Sequence, residues 1–223
     1  MPYVIGRPSK RILALATTLG MLVTAAPALA DGSGQNGPSW VPPVAAVPAS
    51  PAASCPTVNA GLLLGPLGDL APYALVSEAN FEGSTSGWSL NNASVVSGNE
   101  PWHVAGASDS NSLSIEPGGS AVSPAFCVDN TFPSFRFFAH GPSSGWGTGL
   151  VVFARWSLAN GMSGQVPVTY LPADEYGSWR ATPILPLGSV LSPGQTVSVQ
   201  FVFSAGPVSA WKIDDVLLDP YAK

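Results

Sequence analysis

Thr196-Val197-Ser198-Val199-Gln200-Phe201-Val202-Phe203 alternates with a period of two. Val197, Val199, Phe201 and Phe203 share one face. Thr196, Ser198 and Gln200 share the other, where Val202 is the one apolar residue. Successive strand side chains point to opposite sides of a sheet, so this segment reads as a half-buried strand with a defined core face. The same pattern recurs twice. In residues 135–138 Arg136 faces away from Phe135 and Phe137, and further on Trp211 and Ile213 oppose Lys212 and Asp214.

Outward from this stretch, short apolar runs at 88–90, 93–97, 112–115, 120–123, 134–140, 150–157, 165–171, 179–184 and 210–218 read as further strands. Ser97-Gly98, Pro117-Gly118, Asn160-Gly161 and Pro193-Gly194 supply turn chemistry between them. This spacing predicts an all-β sandwich or barrel. No stretch beyond residue 30 carries a capped apolar face of period 3.6. Ten or so strands suit one two-sheet domain.

The N-terminus has a different texture. Arg7, Lys10 and Arg11 precede an apolar run over 12–25, and Ala28-Leu29-Ala30 gives a small-x-small cleavage pattern before Asp31. Residues 1–30 thus read as a cleavable signal peptide, with an apolar run too short to span a bilayer. The expected address is secreted, or extracellular, with no transmembrane segment after cleavage. Residues 31–54 are rich in Pro, Ala, Gly and Ser and read as a disordered linker. The domain is expected over 55–223, with an irregular lead-in at 55–73.

Cleavage would leave Arg136, Arg155, Arg180, Lys212 and Lys223 against all thirteen acids, a net charge of five minus thirteen, or −8, compared with −5 for the whole chain. Such a balance argues against nucleic acid, which needs clustered cations. Cys55 and Cys127 are the only cysteines. In an exported chain they predict one disulfide. It would close a loop of about 73 residues, contributing about 4 kcal/mol in the chain-entropy account.

Acids are scarce, and two places concentrate attention. One is Asn80-Phe81-Glu82-Gly83, and the other is Ile213-Asp214-Asp215-Val216. By alternation Asp215 shares the face of Trp211 and Ile213, where a charge must be paired or bound to a metal. Calcium, which takes carboxylate and backbone carbonyl oxygens as ligands, is one answer. The other is a solvated Asp214, with Asp215 held by backbone amides or by Arg.

Asn80-Phe81-Glu82-Gly83, Ser86-Gly87-Trp88 and the closing Trp211-Lys212-Ile213-Asp214-Asp215-Val216 resemble the start and end of jelly-roll carbohydrate-binding modules, the xylan- and glucan-binding groups above all. The resemblance implies a galactose-binding-like jelly roll. It also implies a structural calcium held by Glu82 and by Asp214 or Asp215. Adding Val96-Ser97-Gly98-Asn99-Glu100-Pro101-Trp102, Phe126-Cys127-Val128 and Asp219-Pro220-Tyr221, most of 55–223 is similar to a family of secreted actinobacterial proteins. That likeness implies fold and export but carries no activity.

Sugar sites combine exposed aromatic faces with a few polar groups. Trp88 and Trp211 sit in strand patterns and read as core. Trp102, Trp146 and Trp179 are the candidate ligand-binding aromatics. Gly141-Pro142-Ser143-Ser144-Gly145 matches the nucleophile-elbow pattern but lacks its strand-to-helix context. His103 and His140 are the only histidines. Glu100, Asp174 and Glu175 are glycosidase acids by residue type alone and read as surface-loop groups. No catalytic residue is assigned. The expected function is a secreted non-catalytic binding module for carbohydrate or another cell-envelope component. A structural envelope protein is the alternative, and an extracellular hydrolase comes third.

Overall fold

The computed structural model describes residues 59–143, 145, 147–190 and 195–222. The expected signal peptide and linker, Cys55, Trp146 and the expected turn at Pro193-Gly194 fall outside the described residues. The described elements are strands joined by turns and two short 3-10 segments, Gly65–Leu67 and Ala173–Glu175. The expected all-β jelly-roll sandwich is the architecture found.

The strands form two antiparallel layers. In the first, β3 (Ser89–Ser97), β4 (Asn111–Val122), β12 (Trp211–Asp219) and β6 (Ser134–His140) lie side by side. The short β9 (Arg180–Ala181) and β10 (Leu185–Pro186) border β6, and β2 (Tyr73–Leu75) joins β12 beyond β4. In the second layer β4 pairs with β11 (Val197–Ala205), then come β7 (Leu150–Ser157) and β8 (Ser163–Leu171). β5 (Phe126–Val128) pairs with the opening residues of β11. β4 belongs to both layers. Its first half pairs with β12 at 113–115 and its second with β11 at 120–122.

That double membership overturns one expectation. Pro117-Gly118 reads in sequence as a turn between two strands, yet β4 runs through it for 12 residues. The bend is absorbed locally. Asn92 takes a φ of 49° at a bulge in β3, and Gly119 lies so close that a Cβ there would come 2.4 Å from the Asn92 carbonyl oxygen. Only glycine tolerates that approach. The expected strand at 179–184 shrinks to two short pieces flanking Pro183, which cannot donate to the ladder.

The core lies between the layers. Phe135 and Phe137 of β6 face Phe201 and Phe203 of β11, with ring centroids 3.9 Å apart for the first pair and 5.1 Å for the second. Trp88 and Trp211 are buried as expected. The lead-in is more ordered than its composition suggests. β1 (Ala60–Gly61) pairs with β2, and Leu64 and Tyr73 pack with Val104, Phe138 and Leu217 against the outer face of the first sheet. Cys127 lies on β5, and the described residues include no free cysteine.

Replacing Phe201 by Ala removes a ring that touches Phe126, Phe135 and Phe203. A loss of about 3–5 kcal/mol is expected in chemical denaturation. A loss below about 1 kcal/mol would contradict this account of the core.

Candidate functional site

Two places in the fold carry unusual polar chemistry. The first is the loop between β3 and β4, where it covers β12. Glu100 anchors this loop from within. It is fully buried, its Oε1 accepts the Val104 N–H at 2.7 Å and its Oε2 accepts the Trp102 N–H. Its own N–H donates to Asp214 Oδ2 at 3.4 Å. Glu100 is therefore a structural tie and not the surface-loop group its residue type suggested. Asp174 and Glu175 are exposed, as expected.

Asp214 and Asp215 are both fully buried, which rules out a solvated Asp214. Alternation also fails at Asp215. The β12–β6 register slips between Asp214 and Leu217, and Asp215 adopts a left-handed φ of 45°. Val216 then returns to the core. Asp214 is partly satisfied, since its Oδ1 accepts the Asp215 N–H at 2.9 Å. Both Asp215 side-chain oxygens and Asp109 Oδ2 are buried without a well-formed hydrogen bond, the Ala105 N–H and the Glu100 carboxyl being the groups that act on Asp215. Burial, and then Asp215, push the Asp214 carboxyl up to about 9. Burial, and then Glu100 and Asp109, push Asp215 up to about 8.

Glu82 behaves differently. It accepts from the Ser110 N–H at 2.7 Å and from the Asn111 N–H, and again from the Ser110 hydroxyl and the Asn111 amide. Desolvation raises its pKa, but these donors outweigh it and hold the carboxyl below its ordinary value. Its acceptor capacity goes to fastening the start of β4. Among the described residues no three His, Cys, Asp or Glu side chains are grouped to hold a metal.

The second place is the outer face of the second sheet. Its register aligns Val122, Val202 and Phe153 across β4, β11 and β7. These three form a buried apolar strip, with Val151 half-buried beside them. Next along come Gln200, Arg155 and Gln165 across β11, β7 and β8. Tyr170, opposite Val151, is 46% exposed. Its ring lies over Gly149, where a Cβ would come within 2.0 Å of it. Glycine is thus what lets the ring lie against β7. Tyr170 and Gln165 reach the surface of this face, with the apolar strip and Arg155 buried beneath them; an exposed aromatic ring with a polar amide on the same face suits sugar rings.

The candidate tryptophans lie elsewhere. Trp102 is 37% exposed and packs on Phe138 of the first sheet at 5.3 Å. Trp179 is half-buried, 5.6 Å from His140. Ser143 follows β6 in a loop, and no α-helix occurs among the described residues. Arg155, Gln165, Gln200 and Tyr170 were absent from the sequence-derived candidates. Their signal was apolar residues on the wrong face, Val202 in β11 and Phe153 in β7.

No family model and no curated protein matches the chain. Solved structures do. A family 61 carbohydrate-binding module in complex with β-1,4-galactotriose is similar at 16% identity and a TM-score of 0.38, over 65% of this chain and 97% of that one. The CBM22-1 xylan-binding domain from Paenibacillus barcinonensis Xyn10C is similar at 13% identity and a TM-score of 0.39, over 63% and 91%. An arabinose-bound α-L-arabinofuranosidase is similar at 18% identity and a TM-score of 0.42, over 66% of this chain but 26% of that one. At this distance no residue role transfers.

The raised acids fix a pH dependence. The folded chain keeps protons on Asp214 and Asp215 up to about pH 8–9, whereas the unfolded chain releases them near the ordinary carboxyl value of 3.8. Between these limits the folded state binds more protons, so stability falls as pH rises. In the presence of a chelator, the melting temperature is expected to fall from about pH 5 to pH 9, and Asp215→Asn to flatten that fall. A melting temperature that rises over the same range would contradict the assignment.

Proposed function

We propose that the chain is a secreted, non-catalytic carbohydrate-binding module that uses the outer face of its second sheet. One observation carries this: the exposed Tyr170 ring held over Gly149, beside the apolar strip of Val122, Phe153 and Val202. Pyranose rings present apolar faces to aromatic ones, and amides beside the ring read the hydroxyls. Trp102 and Trp179 provide a second aromatic surface over the first sheet. Export through residues 1–30 and a Cys55–Cys127 bridge belong to the same reading, because a bridge persists in an oxidising compartment. Membership of the actinobacterial family that the sequence resembles belongs to it as well. The exposed Leu62, Leu67 and Leu70 of the lead-in favour the alternative, a structural envelope protein.

The test is affinity electrophoresis and calorimetry against a panel of soluble polysaccharides. Tyr170→Ala is expected to weaken binding about tenfold or more with the melting temperature unchanged, and Trp102→Ala to leave it intact. Binding lost with Trp102 instead would move the site to the first sheet. Binding to no polysaccharide sinks the proposal.

Calcium is part of the same proposal, with a changed ligand set. Asp215 suits a calcium ligand, since both its oxygens are buried without a well-formed hydrogen bond, and Asp109 adds a third such oxygen. Glu82 does not fit, because amide and hydroxyl donors occupy it, and Asp214 is bonded to two N–H groups. Bound calcium would neutralise charge between the β3–β4 loop and β12, with backbone carbonyls completing its shell. Added calcium is expected to raise the melting temperature of the chelated protein at about pH 8, and Asp215→Asn to abolish the rise. A melting temperature indifferent to calcium overturns this part.

A further inference from the structure

Arg155 is the one cation on the strands of the second sheet, and β5, β7, β8 and β11 contain no Asp or Glu. It is 7% exposed. Its Nη2 donates to Gln165 Oε1 at a long 3.3 Å, and its Nη1 is buried with no partner. Gln200, opposite it on β11, spends its amide on the Ser123 carbonyl at 3.1 Å. Burial alone lowers the guanidinium's pKa, and no carboxylate acts on it. The one ion pair among the described residues, Arg136 with Asp219, is in the first sheet. A buried charge with neither counter-ion nor full hydrogen bonding is costly to keep. Yet among the described residues no acid is paired with it, and Glu116, the one acid on the shared strand β4, accepts from the Ser114 hydroxyl instead.

The face supplies what an anionic sugar needs. A guanidinium fork matches a carboxylate bidentately. Gln165 is exposed, so an incoming carboxylate can displace its amide. Tyr170 pairs with Val151, four positions along β7 from Arg155, about 13 Å at a strand's rise. That span exceeds one sugar ring and suits a chain of them. A single positive charge is matched by the single charge of a carboxylate.

We infer that this face binds polysaccharides bearing uronic acids, with Arg155 pairing the sugar carboxylate while Tyr170 stacks on a neighbouring ring. The inference rests on the carbohydrate-binding proposal above.

The experiment is calorimetric titration of the full exported protein with polygalacturonate and alginate, each beside its carboxyl-reduced counterpart. The intact acids are expected to bind at least tenfold more tightly than the reduced forms, with the difference shrinking as salt rises. Arg155→Gln is expected to bind both forms equally, at the affinity of the reduced one. Equal wild-type binding of acidic and reduced forms overturns the inference and leaves carbohydrate binding standing. Tighter binding of a sulfated polysaccharide overturns the choice of carboxylate. Binding to neither form, nor to any polysaccharide of the neutral panel, removes both proposals. The wild-type comparison needs no variant, so a misfolded Arg155→Gln would not blunt it.

Discussion

The stack of Phe135 on Phe201 joins two strands that share no hydrogen bond. Everything else in the sandwich is arranged around keeping β6 and β11 face to face. Backbone ladders fix distances within a layer but say nothing about the distance between layers, which is set by the side chains that fill the gap. Here that filling is aromatic: Phe137 meets Phe203 edge-on, and Trp88 stacks on Phe203 from the chain's entry side. With the inner faces committed to these rings, the outer faces are left to carry chemistry, and the two outer faces differ.

The first sheet is covered and the second is open at its Tyr170 end. The lead-in and the β3–β4 loop lay Leu64, Tyr73 and Val104 over Phe138 and Leu217. Closing that cover brings Asp109, Asp214 and Asp215 together around the buried Glu100, and desolvation dominates the ionisation of the three aspartates. The left-handed backbone at Asp215 belongs to the same economy, because strain of this kind persists only where surrounding contacts over-determine it. On the second sheet no described segment plays the role of the lead-in.

Much of the fold was legible in residue order. Alternation at 196–203 gave β11 and its core face, and Ser97-Gly98 and Asn160-Gly161 marked the end of β3 and the turn from β7 to β8. Three things were not legible. The period-two rule has no means of announcing a bulge, so it misplaced Asp215. Turn chemistry at Pro117-Gly118 cannot distinguish a strand that ends from one that bends, because both need a permissive residue. Residue type alone misjudged Glu100, since a carboxylate that binds backbone amides within a loop resembles any surface acid until the loop closes. The candidate binding face was half visible. Val202 stood out as the discordant apolar residue on a polar face, but its meaning depends on Phe153 and Val122 arriving beside it from other strands.

The shared strand β4 has a mechanical consequence. A sandwich of two separate sheets can be pried apart layer by layer, each layer opening at its own cost. Here one continuous strand is bonded to β12 at one end and to β11 at the other. Detaching either layer pulls on the hydrogen bonds of the other through the bend at Gly119. Among the described residues local opening therefore falls to the edges, at β1, β3, β8, β9 and β10, while the centre yields as a unit. A protease meeting this protein would find frayed hems and no seam.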